Sequence, residues 1–170
     1  MTTRTALLAR AAAVEILDGD PGGTITLLAD AADTGGALSA HRSTFAAGGA
    51  GAPPHTHRDA SELFVVLDGA LRVLVDEDVE VLRTGDLLFV PPGVPHAFEA
   101  APGHAAEVLF VLAPARERFA YYRLLDRVHR GAAGWDEVGA SQDRFDNHYV
   151  DSPAWADRRS PPTPPGRGRE

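Results

Sequence analysis

Three histidines and one glutamate, set in two segments bounded by glycine and proline, constrain this chain more than any other feature. The first segment, GAGAPPHTHRDASELFVVLDG, runs from Gly49 to Gly69 and contains His55, His57 and Glu62. The second, GDLLFVPPGVPH, runs from Gly85 to His96. Side chains on a strand alternate between faces, so His55 and His57 at i and i+2 can point the same way. Arg58 to Ser61 then turn the chain, and Glu62 opens the next apolar run on that inner face. His96 arrives from a separate strand after the PPG turn. Three imidazoles and one carboxylate suit a single divalent metal ion. The other histidines, His41, His104, His129 and His148, are read first as core or surface residues.

Strand signals dominate from about residue 12 to 113. AAAVEIL, TITLLAD, ALSAHRSTFA, ELFVVLD, ALRVLVDE, VEVLRTGD, LLFVPPG, HAFEA and AEVLFVLA are short and apolar or alternating. DGDPGG, DTGG, AGGAGAPP, LDG, VDED, PPGVP and APGH separate them with turn residues. Evenly spaced short strands describe an all-β sandwich or barrel. From Pro114 the pattern changes: ARERFAYYRLLDRVHRG places Tyr121, Leu124, Leu125 and Val128 on one helical face, with proline before and Gly131 after. DRFDNHYVDSPAW (143–155) reads as a folded-back extension or a short strand, and RRSPPTPPGRGRE (158–170) as a disordered Pro/Arg tail. The organisation is thus an N-terminal segment (1–11), a barrel (12–113), a helical extension packing on it (114–157) and the tail (158–170).

Composition bounds the partners. The net charge of −8 argues against nucleic acid or an anionic membrane surface. With no cysteine, neither a disulfide framework nor a thiolate metal site is available. The N-terminal ALLARAAAV is interrupted by Arg10 and too short for a signal peptide, and no segment approaches a membrane span, so a cytoplasmic protein is expected.

The two histidine segments resemble the signature motifs of the cupin family, small antiparallel jelly-roll β-barrels that hold a metal between sheets. The first motif is complete; the second departs at Ala100, where cupins usually carry Asn, which is not a metal ligand. One motif pair makes this a single-cupin chain. The resemblance implies His55, His57, Glu62 and His96 as ligands to one divalent transition ion (Fe, Mn, Ni, Co, Cu or Zn). It also implies a homodimer, with residues from roughly 12 to 30 as the contact because they offer a sheet edge.

Strand parity gives the pocket lining. Phe64 and Val66 share the face of Glu62, Phe98 that of His96, and Phe45 that of Ser43 and His41, two polar residues read as lying past the barrel rim. Before the PPG turn either Leu87 with Phe89 or Leu88 with Val90 looks inward, and Phe89 is chosen. From the helix, Tyr122 or Phe119 closes the pocket, unless the helix simply covers an open sheet face. Such a lining suits a flat, apolar, aromatic substrate and suits a sugar phosphate poorly. The chain is most similar to short quercetinase-like cupins, which implies a metal-dependent dioxygenase taking dioxygen and a flavonol, enol or polyketide-like substrate, with Glu62 as the catalytic base. The alternatives are a non-redox polyketide cyclase or isomerase, and a non-catalytic ligand-binding or regulatory cupin.

Overall fold

The computed structural model describes residues 6–157. In chain order its elements are β1 (Ile16–Leu17), β2 (Gly23–Ala29), α1 (Ala31–Thr34), β3 (Ser39–Phe45), β4 (His55–Thr56), β5 (Ser61–Val75), β6 (Asp78–Arg83), β7 (Leu87–Val90), β8 (His96–Ala100), β9 (Ala106–Ala113), α2 (Arg118–His129), α3 (Trp135–Ala140), α4 (Gln142–Phe145), β10 (His148–Tyr149) and α5 (Pro153–Asp157). The tail expected at 158–170 lies outside the described residues.

Strand β5 organises the barrel. Its first half pairs with β9 and β7 in one sheet, and its second half pairs with β6 and β8 in the other. The crossing point is a register shift against β9 between Val66 and Asp68, followed by Gly69 at φ 76°. A Cβ on Gly69 would sit 2.0 Å from the Ala105 carbonyl oxygen, so only glycine fits the bend. The LDG stretch, expected to separate two strands, is therefore a bulge inside one continuous strand. The first sheet runs β1-β2-β3-β9-β5 with β7 on the far side of β5; the second runs from β6 through β5, β8 and β4 to β10. All these pairs are antiparallel, which is the jelly-roll arrangement.

Two apolar clusters hold the molecule together. Phe64, Val66, Leu71, Val73, Val90, Val108 and Phe110 fill the space between the sheets. A second cluster joins Leu17 and Leu27 of the outer strands to Tyr121, Tyr122, Val128, Val138 and Phe145 of the C-terminal helices. Helix α2 thus turns the face read from its sequence onto β1 and β2. The segment after it folds back: β10 adds to β4 at the edge of the second sheet, and Trp155 packs its ring 4.1 Å from the Arg72 guanidinium carbon.

Candidate metal centre and cavity

The candidate ligands come from both sheets. His55 on β4 lies opposite His96 on β8, and Glu62 projects from the first half of β5. His57, two residues beyond His55, keeps its parity and is equally buried. Ligand atoms of His55, His57, Glu62 and His96 all lie within 4.8 Å of one another. Glu62 Oε2 stands 3.2 Å from His57 Nε2 and 2.9 Å from His96 Nε2.

The outer nitrogens of the three rings are all engaged. His55 Nδ1 donates to the Pro53 carbonyl at 2.8 Å, His96 Nδ1 to the Val94 carbonyl at 2.9 Å, and His57 Nδ1 to the Asp146 carbonyl at 2.5 Å. A ring nitrogen facing a carbonyl must carry the proton, so a neutral ring presents its Nε2 lone pair to the cluster. Lone pairs facing a carboxylate repel unless a proton or a cation lies between them. One carboxylate cannot offset three protonated imidazoles, so the donor set fits a divalent cation. Burial and then the neighbouring His96 and His57 push the His55 imidazole well below its usual pKa. Burial opposes ionisation of Glu62, but the His57 and His96 rings that face its carboxyl prevail and hold it well below the usual carboxylate range. A neutral His55 imidazole beside an ionised Glu62 carboxylate is the protonation pattern that metal binding requires.

Asp146, which the sequence did not single out, braces this centre. It sits in a left-handed conformation at φ 51°, which aims its carbonyl at His57. Its carboxylate accepts the N–H groups of Arg58 at 2.7 Å, Asp59 at 3.0 Å and Ala60 at 3.2 Å. Burial would raise its pKa, but these three N–H donors lower it. The loop between the candidate ligands His57 and Glu62 is therefore tied to a residue of the C-terminal extension.

A cavity of about 450 Å³ opens above His55 and Glu62. One wall carries His41, Ser43 and Phe45 from β3, with Phe98 beside them; the roof carries Arg118, Tyr121, Tyr122 and Leu125 of α2, with Val138 of α3. Of the lining expected from sequence, Phe45, Phe98 and Tyr122 border the cavity. Phe64 and Val66 face inward as parity required, yet they belong to the packed core beneath it, at 0% and 1% exposure. Phe119 packs among the helices instead of bordering the cavity. Phe89 requires correction: it is 57% exposed. Cross-strand partners share a face, and β7 pairs with β5 so that Val90 lies opposite Glu62 and Phe89 opposite Leu63 on the outside.

His41 and Ser43 require a second correction, because both are buried at 4% exposure inside the cavity and do not lie past the rim. The His41 ring stacks on Phe110 at 4.8 Å, and its Nδ1 lies 3.0 Å from the Tyr122 hydroxyl. Burial drives its pKa down to about 3, so it is neutral throughout the physiological range. Burial likewise pushes the Tyr122 hydroxyl up to about 12. With Thr24, Asn147 and Tyr149 also at its edge, the cavity is more polar than the sequence reading allowed. Alternation along β3 did carry the signal for His41 and Ser43; nothing local marked Arg118 or Asn147.

Comparison with known proteins agrees with this architecture. Residues 41–112 match the model of the cupin domain (Cupin_2). An RmlC-like cupin from Shewanella frigidimarina superimposes with a TM-score of 0.58 at 29% identity, covering 68% of this chain and 96% of that one. The polyketide cyclase RemF from Streptomyces resistomycificus superimposes with a TM-score of 0.52 at 19% identity, over 74% of this chain and 98% of that one. In sequence, 46 residues are 39% identical to quercetin 2,3-dioxygenase from Bacillus subtilis, a match spanning 27% of this chain and only 14% of that enzyme. No helix among the described residues is long and apolar enough to cross a membrane. The histidine segments, the shared strand β5 and these likenesses together identify residues 41–112 as a cupin domain, and the described residues form one such barrel.

Proposed function

We propose that this cupin is a metal-dependent enzyme that activates a hydroxyl or enol group of a small substrate, with His55, His57, Glu62 and His96 holding one divalent ion. The observation that carries this reading is the position of the ligand cluster: it forms the floor of a cavity large enough for a small molecule, with Glu62 bordering both. A divalent ion there lowers the pKa of an oxygen bound to it. Glu62, ionised across the physiological range, is the acceptor for the substrate's proton. Phe45 and Phe98 offer ring faces and edges to a flat substrate, and Tyr121 and Tyr122 roof the site and exclude water.

For the reaction that follows, we favour a quercetinase-like dioxygenation of a flavonol, enol or polyketide-like substrate, supported by the 46-residue likeness to quercetin 2,3-dioxygenase. A second reading, non-redox cyclisation or isomerisation, draws support from the neutral His41 paired with Tyr122 in the cavity wall. Such a pair offers a substrate oxygen a fixed hydrogen bond beside the ligand cluster, which a ring closure through an enolate uses. The test is elemental analysis of protein purified without added metal, followed by dioxygen uptake and product analysis on a flavonol and on a polyketide enol. Uptake that stops in Glu62→Gln supports the dioxygenase; turnover without uptake supports the second reading. Full metal content in alanine variants of two or more ligands would overturn the metal centre. Association into a homodimer through residues 12–30, tested by solution scattering against the 18.0 kDa monomer, belongs to the same proposal.

A further inference from the structure

Arg118, at the start of α2, is buried at 4% exposure and borders the cavity, yet no carboxylate pairs with it among the described residues. Its Nη1 donates to the Phe145 carbonyl at 2.8 Å, while its Nε is enclosed and has no hydrogen-bond partner. Its guanidinium carbon lies 4.9 Å from the centre of the Tyr121 ring and 5.4 Å from that of Tyr122. Asp30 accepts its backbone N–H at 3.0 Å, so that carboxylate fixes the helix start and does not pair with the guanidinium. A buried guanidinium costs several kcal/mol in lost hydration unless paired, and aromatic faces return only about 1–2 kcal/mol of that.

The remaining charges in the cavity do not supply a partner. Glu62 is the acid of the buried end, and it is committed to His57 and His96. A divalent ion at that cluster together with Arg118 leaves the buried end with about one uncompensated positive charge once Glu62 and the Asp146 carboxylate behind His57 are counted. The ligand that belongs there brings negative charge of its own. We propose, building on the metal-centred reading above, that Arg118 binds a carboxylate of the substrate, so that the natural substrate is a hydroxylated or enolic acid held between the metal cluster and the guanidinium. Planar, forked donors match a carboxylate. A phosphate would call for further cationic or backbone donors, and the neighbours of Arg118 in the roof are the tyrosines and Leu125.

The experiment is calorimetric titration of the zinc-loaded protein, zinc being redox-inert, with catechol acids and their neutral counterparts. The acids are 3,4-dihydroxybenzoate, 3,4-dihydroxyphenylacetate and 3-(3,4-dihydroxyphenyl)propanoate; the neutral probes are 4-methylcatechol and 4-ethylcatechol. At least one acid should bind about 10- to 100-fold more tightly than the neutral catechols, the range of a charge-assisted pair. Arg118→Gln should abolish that preference while leaving the affinity for the neutral catechols unchanged, and Arg118→Lys should retain part of it. Metal-dependent binding with no acid preferred in the wild-type protein overturns the carboxylate subsite alone, whatever the variants do. A preference that persists in folded Arg118→Gln overturns it as well. Equal binding of every probe to zinc-loaded and chelator-stripped protein overturns both the subsite and the metal-centred reading beneath it.

Discussion

Replacing Asp146 tests whether the C-terminal extension is part of the metal centre or merely lies against it. Asp146→Ala removes the acceptor of three backbone N–H groups, of Arg58, Asp59 and Ala60. Arg58 and Asp59 are exposed, so water replaces those two bonds and the loss is about 0.5 kcal/mol each. Ala60 is buried, at 5% exposure, and its orphaned N–H costs about 1–2 kcal/mol. Alanine at φ 51° adds about 1 kcal/mol of backbone strain. The expected loss is about 3–4 kcal/mol in Asp146→Ala and about 1 kcal/mol less in Asp146→Gly, which keeps the carboxylate loss and relieves the strain. Because the Asp146 carbonyl also fixes the His57 ring, both variants should lower zinc affinity about 10- to 100-fold. Urea unfolding gives the first quantity, and competition with a chromophoric chelator the second. An Asp146→Ala variant within 0.5 kcal/mol of wild type, or with unchanged zinc affinity, would refute the bracing role.

Further outcomes follow from other parts of the structure. His41 is depressed to about pKa 3 in the folded state, against 6.5 when free, so the unfolded chain takes up its proton first as pH falls. Its contribution is therefore intact above about pH 6.5 and is lost progressively towards pH 3, by about 2 kcal/mol between pH 6.5 and 5. His41→Gln should flatten the stability profile by that amount in paired urea titrations, and parallel profiles would contradict the buried neutral imidazole. Gly69→Ala should cost about 2–4 kcal/mol in thermal or urea unfolding, since its Cβ meets the Ala105 carbonyl at the strand crossing. Chelator treatment should lower the melting temperature and readdition of zinc restore it, because a ligand bound only by the folded state stabilises it. A melting curve indifferent to metal would contradict occupancy at His55, His57, Glu62 and His96.

The convergence of His55, His57, Glu62 and His96 was legible because residue type and spacing carry it: two histidines of equal parity, a turn, and an acid on the next strand have few other uses. Parity along single strands was legible too, and it correctly turned Phe64, Val66 and Phe98 inward. Register between strands was not. Whether Phe89 or Val90 faced the barrel depended on which of them met Glu62 across the β5–β7 ladder, and nothing inside LLFVPPG encodes that. The LDG stretch carried the composition of a turn, and only the Ala105 carbonyl across the sheet shows that its glycine marks a bend in a continuous strand. His41 and Ser43 had the right parity but were placed beyond the rim, since the extent of the barrel depends on α2 closing over β3.

Arg118 and Asp146 were beyond sequence reasoning for one shared reason: their partners are remote. Asp146 braces a loop 86 to 89 positions upstream, and Arg118 faces a cavity whose opposite wall comes from β3. The barrel motifs supply the floor of the site, with the candidate ligands His55, His57, Glu62 and His96 and, in Glu62, the proposed proton acceptor. The roof, and the buried Arg118 guanidinium with no carboxylate partner among the described residues, come from the helical extension, where no motif constrains the sequence. Two cupins with the same ligand set can therefore differ in substrate through the helix that closes the barrel, and charge at position 118 is the feature by which this one would select an acid.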